Sequence, residues 1–210
     1  MILIGQFDSP FVRRVGIAMR LYGIPFEHRP WSVWGDADRL AAFNPLRRVP
    51  VLVLPDGTSL IESATILDEL DQRVEPEQQL LPRSGPARRR GLRVISFATG
   101  LGDKAVSLVY EGVLRDRPSA VWSDRCRAQI TDTLDLLESE RRESMAPHWL
   151  GSQLSHADIA VACVLRFTTE ALPGLLELER WPRLSADAAQ LEALAVFQEI
   201  SQPFKVTLKE

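Results

Sequence analysis

The sequence predicts an α/β domain followed by an all-helical domain. Short strand-like and helix-like segments alternate in the first third of the chain, whereas the remainder shows only helical periodicity. Between these parts, residues 75–86 contain three prolines and one glycine, a composition that favours neither a helix nor a sheet ladder. We therefore assign residues 1–76 to the first domain, residues 77–87 to a linker and residues 88–210 to the second domain.

The first domain is predicted to run strand, helix, strand, helix, strand, strand, helix. The apolar start of the chain is typical of a buried strand, and Pro10 suits the first position of a helix, where its missing N–H has no helical partner. Pro55-Asp56-Gly57 predicts a tight hairpin, because Asp-Gly supplies the backbone conformation of the turn. The predicted elements span residues 1–5, 10–22, 26–29, 37–43, 51–54, 59–61 and 63–74.

The second domain is predicted to be a helical bundle. Apolar residues recur at three-and-four spacing over residues 88–114, 119–143 and 155–172, the pattern of helices with one buried face. Two further helices are expected after this, separated by breaks at Pro173-Gly174 and Trp181-Pro182.

Composition narrows the classes of function. The chain has 210 residues, 45% of them hydrophobic, and a formal net charge of -3, so we expect neither nucleic acid nor an anionic membrane as a partner. Cys126 and Cys163 lie in apolar-periodic stretches without metal-binding spacing, which predicts no disulfide and no metal site. The apolar N-terminal run is too short for a signal peptide, and we expect a cytoplasmic protein.

Ser9 is the first residue of chemical interest. It precedes Pro10 in the loop between the first strand and the first helix, so its hydroxyl lies at a helix N-terminus, where anions are stabilised. The alternative is a plain helix cap. A nucleophilic serine is not expected, because His28 is the single histidine of the first domain and no Gly-x-Ser-x-Gly elbow exists.

Two further motifs follow. The second motif spans Asn44 to Leu52 and leads through Val49-Pro50 into a buried strand. A cis bond at Val49-Pro50 would present the backbone of Val49 to an extended peptide, and the alternative is an ordinary trans proline. Glu62-Ser63 lies where a strand gives way to a helix, with Ser63 as the predicted N-cap. A hydroxyl, backbone N–H groups and a carboxylate suit an α-amino acid head group, although a plain cap would look the same.

The order and spacing of these motifs resemble the cytosolic glutathione transferases, most closely bacterial serine-type (theta/zeta-like) members. A fourth match lies in the second domain, where Trp149-Leu150-Gly151 and Ser155-His156-Ala157-Asp158 are similar to the family's buried capping box. The resemblance implies a thioredoxin-like, glutathione-binding first domain and a helical second domain, the GST fold. It also implies a homodimer with a role in detoxification.

The resemblance assigns a role to each motif. Ser9 is the expected catalytic residue, which donates a hydrogen bond to the sulfur of glutathione and stabilises the thiolate that attacks a hydrophobic electrophile. Arg47 departs from the family pattern, which usually has a small residue there. Asp103 matches a position that reaches across a dimer interface, and a solvated charge is the alternative. The implied glutathione-binding residues are Phe11, Arg48, Val49, Pro50, Glu62, Ser63 and Asp103.

The acceptor pocket is expected to be lined by Val106, Tyr110 and Leu114 of the first long helix. Trp31 and Trp34 have three possible positions: on the sheet, on a partner subunit or over the site. The sequence leaves conjugation and peroxide reduction open, because the loop lacks the cysteine of reductases and the Ser-Ser-Cys pattern of isomerases. The alternative from another class is a non-catalytic adaptor, against which the three intact motifs argue.

Overall fold

A computed structural model gives the structure of the protein over residues 1–205, which form two compact units. The first unit comprises residues 1–83 and 194–205, and the second comprises residues 84–193. Within the described residues, no helix is both long enough and apolar enough to cross a membrane.

The first unit is built on a four-stranded mixed sheet with the strand order β2-β1-β3-β4. Strand β3 lies between β1 and β4 and is antiparallel to both, whereas β1 and β2 are parallel. Strands β1 and β4 therefore run in the same direction. The strands are β1 (Ile2–Ile4), β2 (Glu27–Arg29), β3 (Val51–Val53) and β4 (Ser59–Ile61).

Helix α1 (Pro10–Leu21) connects β1 to β2, α2 (Ala37–Ala41) connects β2 to β3, and α3 (Ser63–Asp71) follows β4, in the predicted order. The α/β class and the element order are confirmed. Several predicted ends differ, such as that of α2, which ends at Ala41 rather than at residue 43. Helix α3 ends at Asp71 rather than at residue 74, and the segment expected to lack helix holds a 3₁₀ turn at Pro76–Gln78, since proline is suited to the first position of a turn.

Apolar side chains from the sheet and from α1 and α3 form the core of this unit. Leu3, Ile4, Leu52, Val15 and Ile66 are fully buried, and burial of such a side chain contributes about 1.5–3 kcal/mol.

Trp31 packs with Phe43 against a buried cluster of Ile4, Leu40, Val51 and Val53. Of the three positions considered for Trp31, packing on the sheet is therefore the one found. The guanidinium of Arg39 lies over the Trp31 ring, 4.3 Å from its centroid, in a cation–π contact.

The second unit is helical, as predicted. Helix α4 (Gly85–Leu114) begins three residues earlier than expected, α5 (Ala120–Arg142) is capped by Ser119, and a 3₁₀ turn at Leu178–Arg180 precedes α7 (Pro182–Glu192). Helix α6 (His156–Ala171) packs against both α4 and α7, and most of its residues are buried. An apolar helix buried on most sides is the core of this bundle.

A buried polar cluster organises the start of α6. Ser155 and Asp158 form the predicted capping box, with the N–H of Ser155 donating to the carboxylate of Asp158 at 2.9 Å. The same carboxylate accepts the backbone N–H of Trp149 at 3.0 Å and contacts Nδ1 of His148 at 3.2 Å. One aspartate thus satisfies donors of both the helix start and the preceding loop.

The last helix, α8 (Ala195–Glu199), belongs to the first unit rather than to the helical bundle, so the predicted range 88–210 differs from the compact units of the structure. The reason is a buried arginine. Arg13 of α1 donates to the carbonyl of Phe197 at 2.7 Å and to that of Ile200 at 2.8 Å, which satisfies carbonyl groups at the end of α8.

Asp158→Ala is expected to lower the free energy of unfolding by about 2–4 kcal/mol, because it leaves the buried N–H groups of Ser155 and Trp149 without an acceptor. Urea titration measures this loss. The control is Asp132→Ala on the exposed side of α5, which is expected to change stability by less than about 0.5 kcal/mol. Equal losses in the two variants would contradict the role given to Asp158.

Candidate functional site

The three motifs of the first unit meet at one edge of the sheet. Ile4, Val51 and Ile61 stand side by side in register across β1, β3 and β4. The chain leaves β1 after Ile4, enters β3 at Val51 and leaves β4 after Ile61. Because β3 runs opposite to its neighbours, the loop before α1, the residues before β3 and the start of α3 all lie at this edge.

Gly5 lies close to both of the first two motifs. Its φ of +128° lies in a region of backbone conformation that residues with a side chain rarely adopt. A Cβ atom there would lie 2.5 Å from Cγ2 of Val12 and 2.8 Å from Cβ of Val49. Only glycine fits, and the close approach places Val49 beside the start of α1.

Ser9 is the N-cap of α1. Its Oγ accepts a long hydrogen bond of 3.5 Å from the backbone N–H of Val12, and the residue is half-buried. The capping interpretation is therefore confirmed. The hydroxyl proton is not used in this bond, since the oxygen is the acceptor, so capping leaves Ser9 able to donate to a ligand. Its catalytic role stays a prediction.

The peptide bond between Val49 and Pro50 is cis, the first of the two alternatives. The loop before it is organised by Asn44, a buried residue of the second motif to which sequence reasoning gave no role of its own. Its Nδ2 donates to the carbonyl of Arg48 at 2.9 Å, and its Oδ1 accepts the N–H of Leu46 at 3.0 Å. These two hydrogen bonds of Asn44 fix the backbone of the loop that carries Arg48.

Arg47, which departs from the family pattern, adopts a left-handed conformation with φ of +53°. Small residues such as glycine and asparagine take this conformation with less strain than arginine. The Arg47 side chain points to Asp38, with a nitrogen–oxygen distance of 3.7 Å. Both side chains are mostly exposed, so the pair adds little stability.

Glu62, rather than Ser63, is the N-cap residue of α3, and this corrects the prediction. Glu62 has a φ of +64°, and its carboxylate lies 3.4 Å from Nη1 of Arg48. Both side chains are about half exposed, at 55% for Arg48 and 51% for Glu62. The structure thus brings together two residues that the sequence placed in different motifs.

Ser63 is the first residue of α3 and is buried. Its Oγ accepts a hydrogen bond of 3.4 Å from Nη1 of Arg14, a buried residue of α1. Ser63 is not the cap because its backbone is already helical, and its hydroxyl is turned towards Arg14. The contact was not predicted, because no local pattern links residues that are 49 positions apart.

His28 supports the loop that leads to Ser9. Its Nε2 lies 2.8 Å from the carbonyl oxygen of Gly5, and its ring stacks on Phe7 with 3.8 Å between centroids. Since a carbonyl only accepts, Nε2 carries a proton in this contact. Burial lowers the pKa of His28, because the charged ring loses hydration, and the bond to Gly5 opposes this effect in part.

The other predicted site residues lie as follows. Phe11 is half-buried on α1 and Pro50 is buried before β3. On α4 of the second unit, Val106 is half-buried, and the exposed residues are Asp103, Tyr110 and Leu114. The acceptor pocket and the role of Asp103 stay predictions. Among residues 1–205, no three His, Cys, Asp or Glu side chains are placed to hold a metal ion.

Comparison with known proteins gives a consistent result over both units. Residues 3–78 match the family model of the glutathione S-transferase N-terminal domain, and residues 120–186 match that of the C-terminal domain. The chain is 31% identical over 170 residues to an uncharacterized GST-like protein, YibF, of Escherichia coli K12. That match covers 79% of this chain and 80% of the relative.

Two solved structures are similar over nearly their whole length. A glutathione S-transferase of Methylobacterium radiotolerans, in complex with glutathione sulfonate, superposes with a TM-score of 0.90 at 30% identity. The match covers 100% of this chain and 97% of that one. A glutathione S-transferase of Methylobacillus flagellatus with bound glutathione has a TM-score of 0.87 at 27% identity, and the match covers 95% and 98%.

The low pKa of His28 predicts a pH-dependent stability. The unfolded chain has the usual histidine pKa of about 6.5, so below that pH it binds a proton that the folded state resists. The free energy of unfolding is therefore expected to fall between about pH 7.5 and about pH 5.5. In His28→Gln, which does not titrate, this fall is expected to be smaller. Urea titrations at both pH values measure it, and equal pH dependence in the two proteins would contradict the assignment.

Proposed function

This chain belongs to the glutathione S-transferase family, and we propose that it binds glutathione, converts the thiol to a thiolate and transfers it to a hydrophobic electrophile. The observation that carries the proposal is the meeting of two helix starts at one sheet edge. Helices α1 and α3 both begin there, with Ser9 and Ser63 at their first turns. Each helix N-terminus favours an anion, and bound glutathione has anionic groups at both its thiolate and its γ-glutamyl carboxylate.

Activation of the thiol is assigned to Ser9. Its oxygen accepts from Val12 at the helix start, which leaves the hydroxyl proton to donate to the sulfur of glutathione. A hydrogen bond donor and the N-terminal end of α1 both stabilise the charged form, so they lower the thiol pKa below its free value of about 8.5. This is the chemistry of a serine-type member of the family.

The thiolate is the nucleophile of the proposed reaction. Its sulfur forms a bond to an electrophilic carbon, and the leaving group departs with its electron pair. With an organic hydroperoxide as acceptor, the sulfur instead attacks the terminal peroxide oxygen, so that the O–O bond breaks and an alcohol departs. A second glutathione then attacks the resulting sulfenic acid, which gives glutathione disulfide and water. The proposal favours carbon acceptors, with the pocket formed in part by Val106, Tyr110 and Leu114.

The peptide part of glutathione is assigned to the other two motifs. The backbone of Val49 is expected to pair with the cysteinyl unit as an added strand, with Phe11 and Pro50 beside it. Glu62 is expected to hold the ammonium group and Ser63 the carboxylate of the γ-glutamyl end. The positive Arg48 and the negative Glu62 lie 3.4 Å apart, and Arg48 is expected to bind the glycyl carboxylate.

A homodimer is part of the proposal. Large apolar side chains are exposed on the two longest helices, among them Leu92 of α4 and Val121 and Trp122 of α5. A contiguous partner surface would cover these residues. In such a dimer, Asp103 of α4 is expected to reach the γ-glutamyl amine bound by the partner.

Ser9→Ala is expected to raise the pKa of bound glutathione towards about 8.5 and to lower kcat/KM by about a hundredfold. Ultraviolet absorbance of the thiolate, titrated across pH, measures the first effect. Conjugation of a chlorodinitrobenzene measures the second.

The control for capping is Ser119→Ala, because Ser119 caps α5 through the same kind of bond, from the N–H of Trp122 at 3.3 Å. It is expected to cost about 1 kcal/mol of stability without changing the thiolate pKa. If glutathione binds but no thiolate depends on Ser9, then Ser9 is only a cap and the mechanism fails.

Arg48→Ala and Glu62→Gln are each expected to raise the Kd of glutathione about tenfold, since each removes a hydrogen bond to a charged group of the ligand. Calorimetric titration measures both. Arg73→Ala serves as the control, because Arg73 makes a comparable ion pair with Glu69 at the far end of α3. If the unmodified protein binds no glutathione, the proposal is wrong and a non-catalytic adaptor takes its place.

A further inference from the structure

The loop that carries Ser9 is short, and its first residue is tied to the neighbouring strand. The loop comprises residues 5–9, between the end of β1 and the start of α1. At Gly5, the backbone N–H donates to the carbonyl of Arg29 at 2.9 Å, and the carbonyl oxygen accepts from Nε2 of His28 at 2.8 Å. Both backbone polar groups of Gly5 are therefore bonded to residues of β2.

Phe7 is the second fixed residue of this loop, two positions before Ser9. Its side chain is 9% exposed, and its ring stacks on the ring of His28 with 3.8 Å between centroids and 10° between planes. It also packs on α1, because a Cβ atom at Gly16 would lie 2.9 Å from Cε1 of Phe7 and 2.9 Å from Cγ2 of Ile200. The bare backbone of Gly16 thus makes room for both side chains. Phe7 is held between β2 and α1 rather than by its own loop.

We propose that Phe7 and His28 are positioning residues, which together aim the hydroxyl of Ser9 at the sulfur of bound glutathione. This inference rests on the proposed function, which assigns activation of the thiol to Ser9. Neither Phe7 nor His28 bonds to the ligand in this proposal. A hydroxyl stabilises a thiolate only at a good distance and angle, and a misplacement of about 1 Å removes much of such an effect. Because a single residue separates Phe7 from Ser9, a shift of the stacked ring moves the hydroxyl.

Loosening the stack is expected to weaken thiol activation and to leave the binding of the peptide part intact. The readout is the acid dissociation constant of the bound thiol, from ultraviolet absorbance of the thiolate across pH. In Phe7→Ala, this constant is expected to fall about fivefold. The Kd of S-methylglutathione, which has no thiol proton, should change less than about twofold. General damage to the fold would instead weaken the binding of both ligands. Phe7→Leu keeps an apolar side chain and decides the question if Phe7→Ala does not fold.

The two contacts of His28 can be separated by substitution. His28→Gln keeps a donor for the carbonyl of Gly5 and loses the stacked ring, whereas His28→Phe keeps a ring and loses the donor. Each variant is expected to lower the acid constant of the bound thiol about twofold to threefold, less than Phe7→Ala, because one contact remains. Unchanged constants in both variants would overturn the role given to His28.

Gly16→Ala tests the same coupling from the side of α1. The added methyl group favours the helix itself, but it takes the space that Phe7 and Ile200 occupy. The acid constant of the bound thiol is expected to fall about threefold. The matched control is Gly112→Ala in α4, where a Cβ would have no neighbour within 4 Å outside the backbone of its own helix. It makes the same change in a helix and is expected to leave the acid constant unchanged.

Coupling to Ser9 provides the second readout. In a Ser9→Ala background, Phe7→Ala is expected to change the acid constant less than about 1.5-fold, because the hydroxyl that Phe7 positions is gone. A full effect in that background would overturn the inference, as would an unchanged constant in Phe7→Ala. If the thiolate of the unmodified protein depends on Ser9, such a result overturns the inference alone. Absence of a Ser9-dependent thiolate in the unmodified protein overturns the proposed function and this inference with it.

Discussion

The antiparallel pairing of β3 with both β1 and β4 decides where the chemistry of the first unit lies. It makes β1 and β4 parallel to each other, so the helices that follow them start at the same edge. The register then places Ile4, Val51 and Ile61 in one row. Loops that are about fifty residues apart in sequence therefore meet, and no loop has to be long to reach the others. A slip of one residue would turn every side chain of a strand to the opposite face and separate the motifs.

Local patterns were sufficient to predict most of this arrangement. The alternation of strand and helix signals, the Asp-Gly hairpin and the Ser155–Asp158 capping box depend on residues within a few positions of one another. The structure bears these three out, and of the two alternatives left open at Val49-Pro50 it has the cis bond. The ends of elements were less accurate. Helix α3 ends at Asp71. The carboxylate of Asp71 accepts a hydrogen bond from the hydroxyl of Tyr22, a contact that no pattern within α3 indicates.

The features that sequence reasoning missed are buried polar contacts between distant residues. Arg13 donates a hydrogen bond to Phe197, which is 184 positions away in the sequence, and Arg14 donates one to Ser63, which is 49 positions away. Arginine is mostly an exposed residue, so a pair of them in a helix suggests a solvated surface rather than a core. Burial is tolerated here because each guanidinium donates to an oxygen. The first of these contacts joins α8 to the first unit, and the second gives the Ser63 hydroxyl a partner on α1.

The ion pair between Arg48 and Glu62 is weak, so its two charges can be separated at little cost. Both side chains are half exposed, and such a pair contributes about 0–1 kcal/mol, since water solvates each partner nearly as well. Separating the pair is therefore inexpensive for the fold. A ligand with one ammonium and two carboxylate groups offers each residue a new partner, and the loss of the original pair takes little from the binding energy. By contrast, Arg14 is buried, where water screens its charge weakly. The candidate site thus combines half-exposed charges with a buried one.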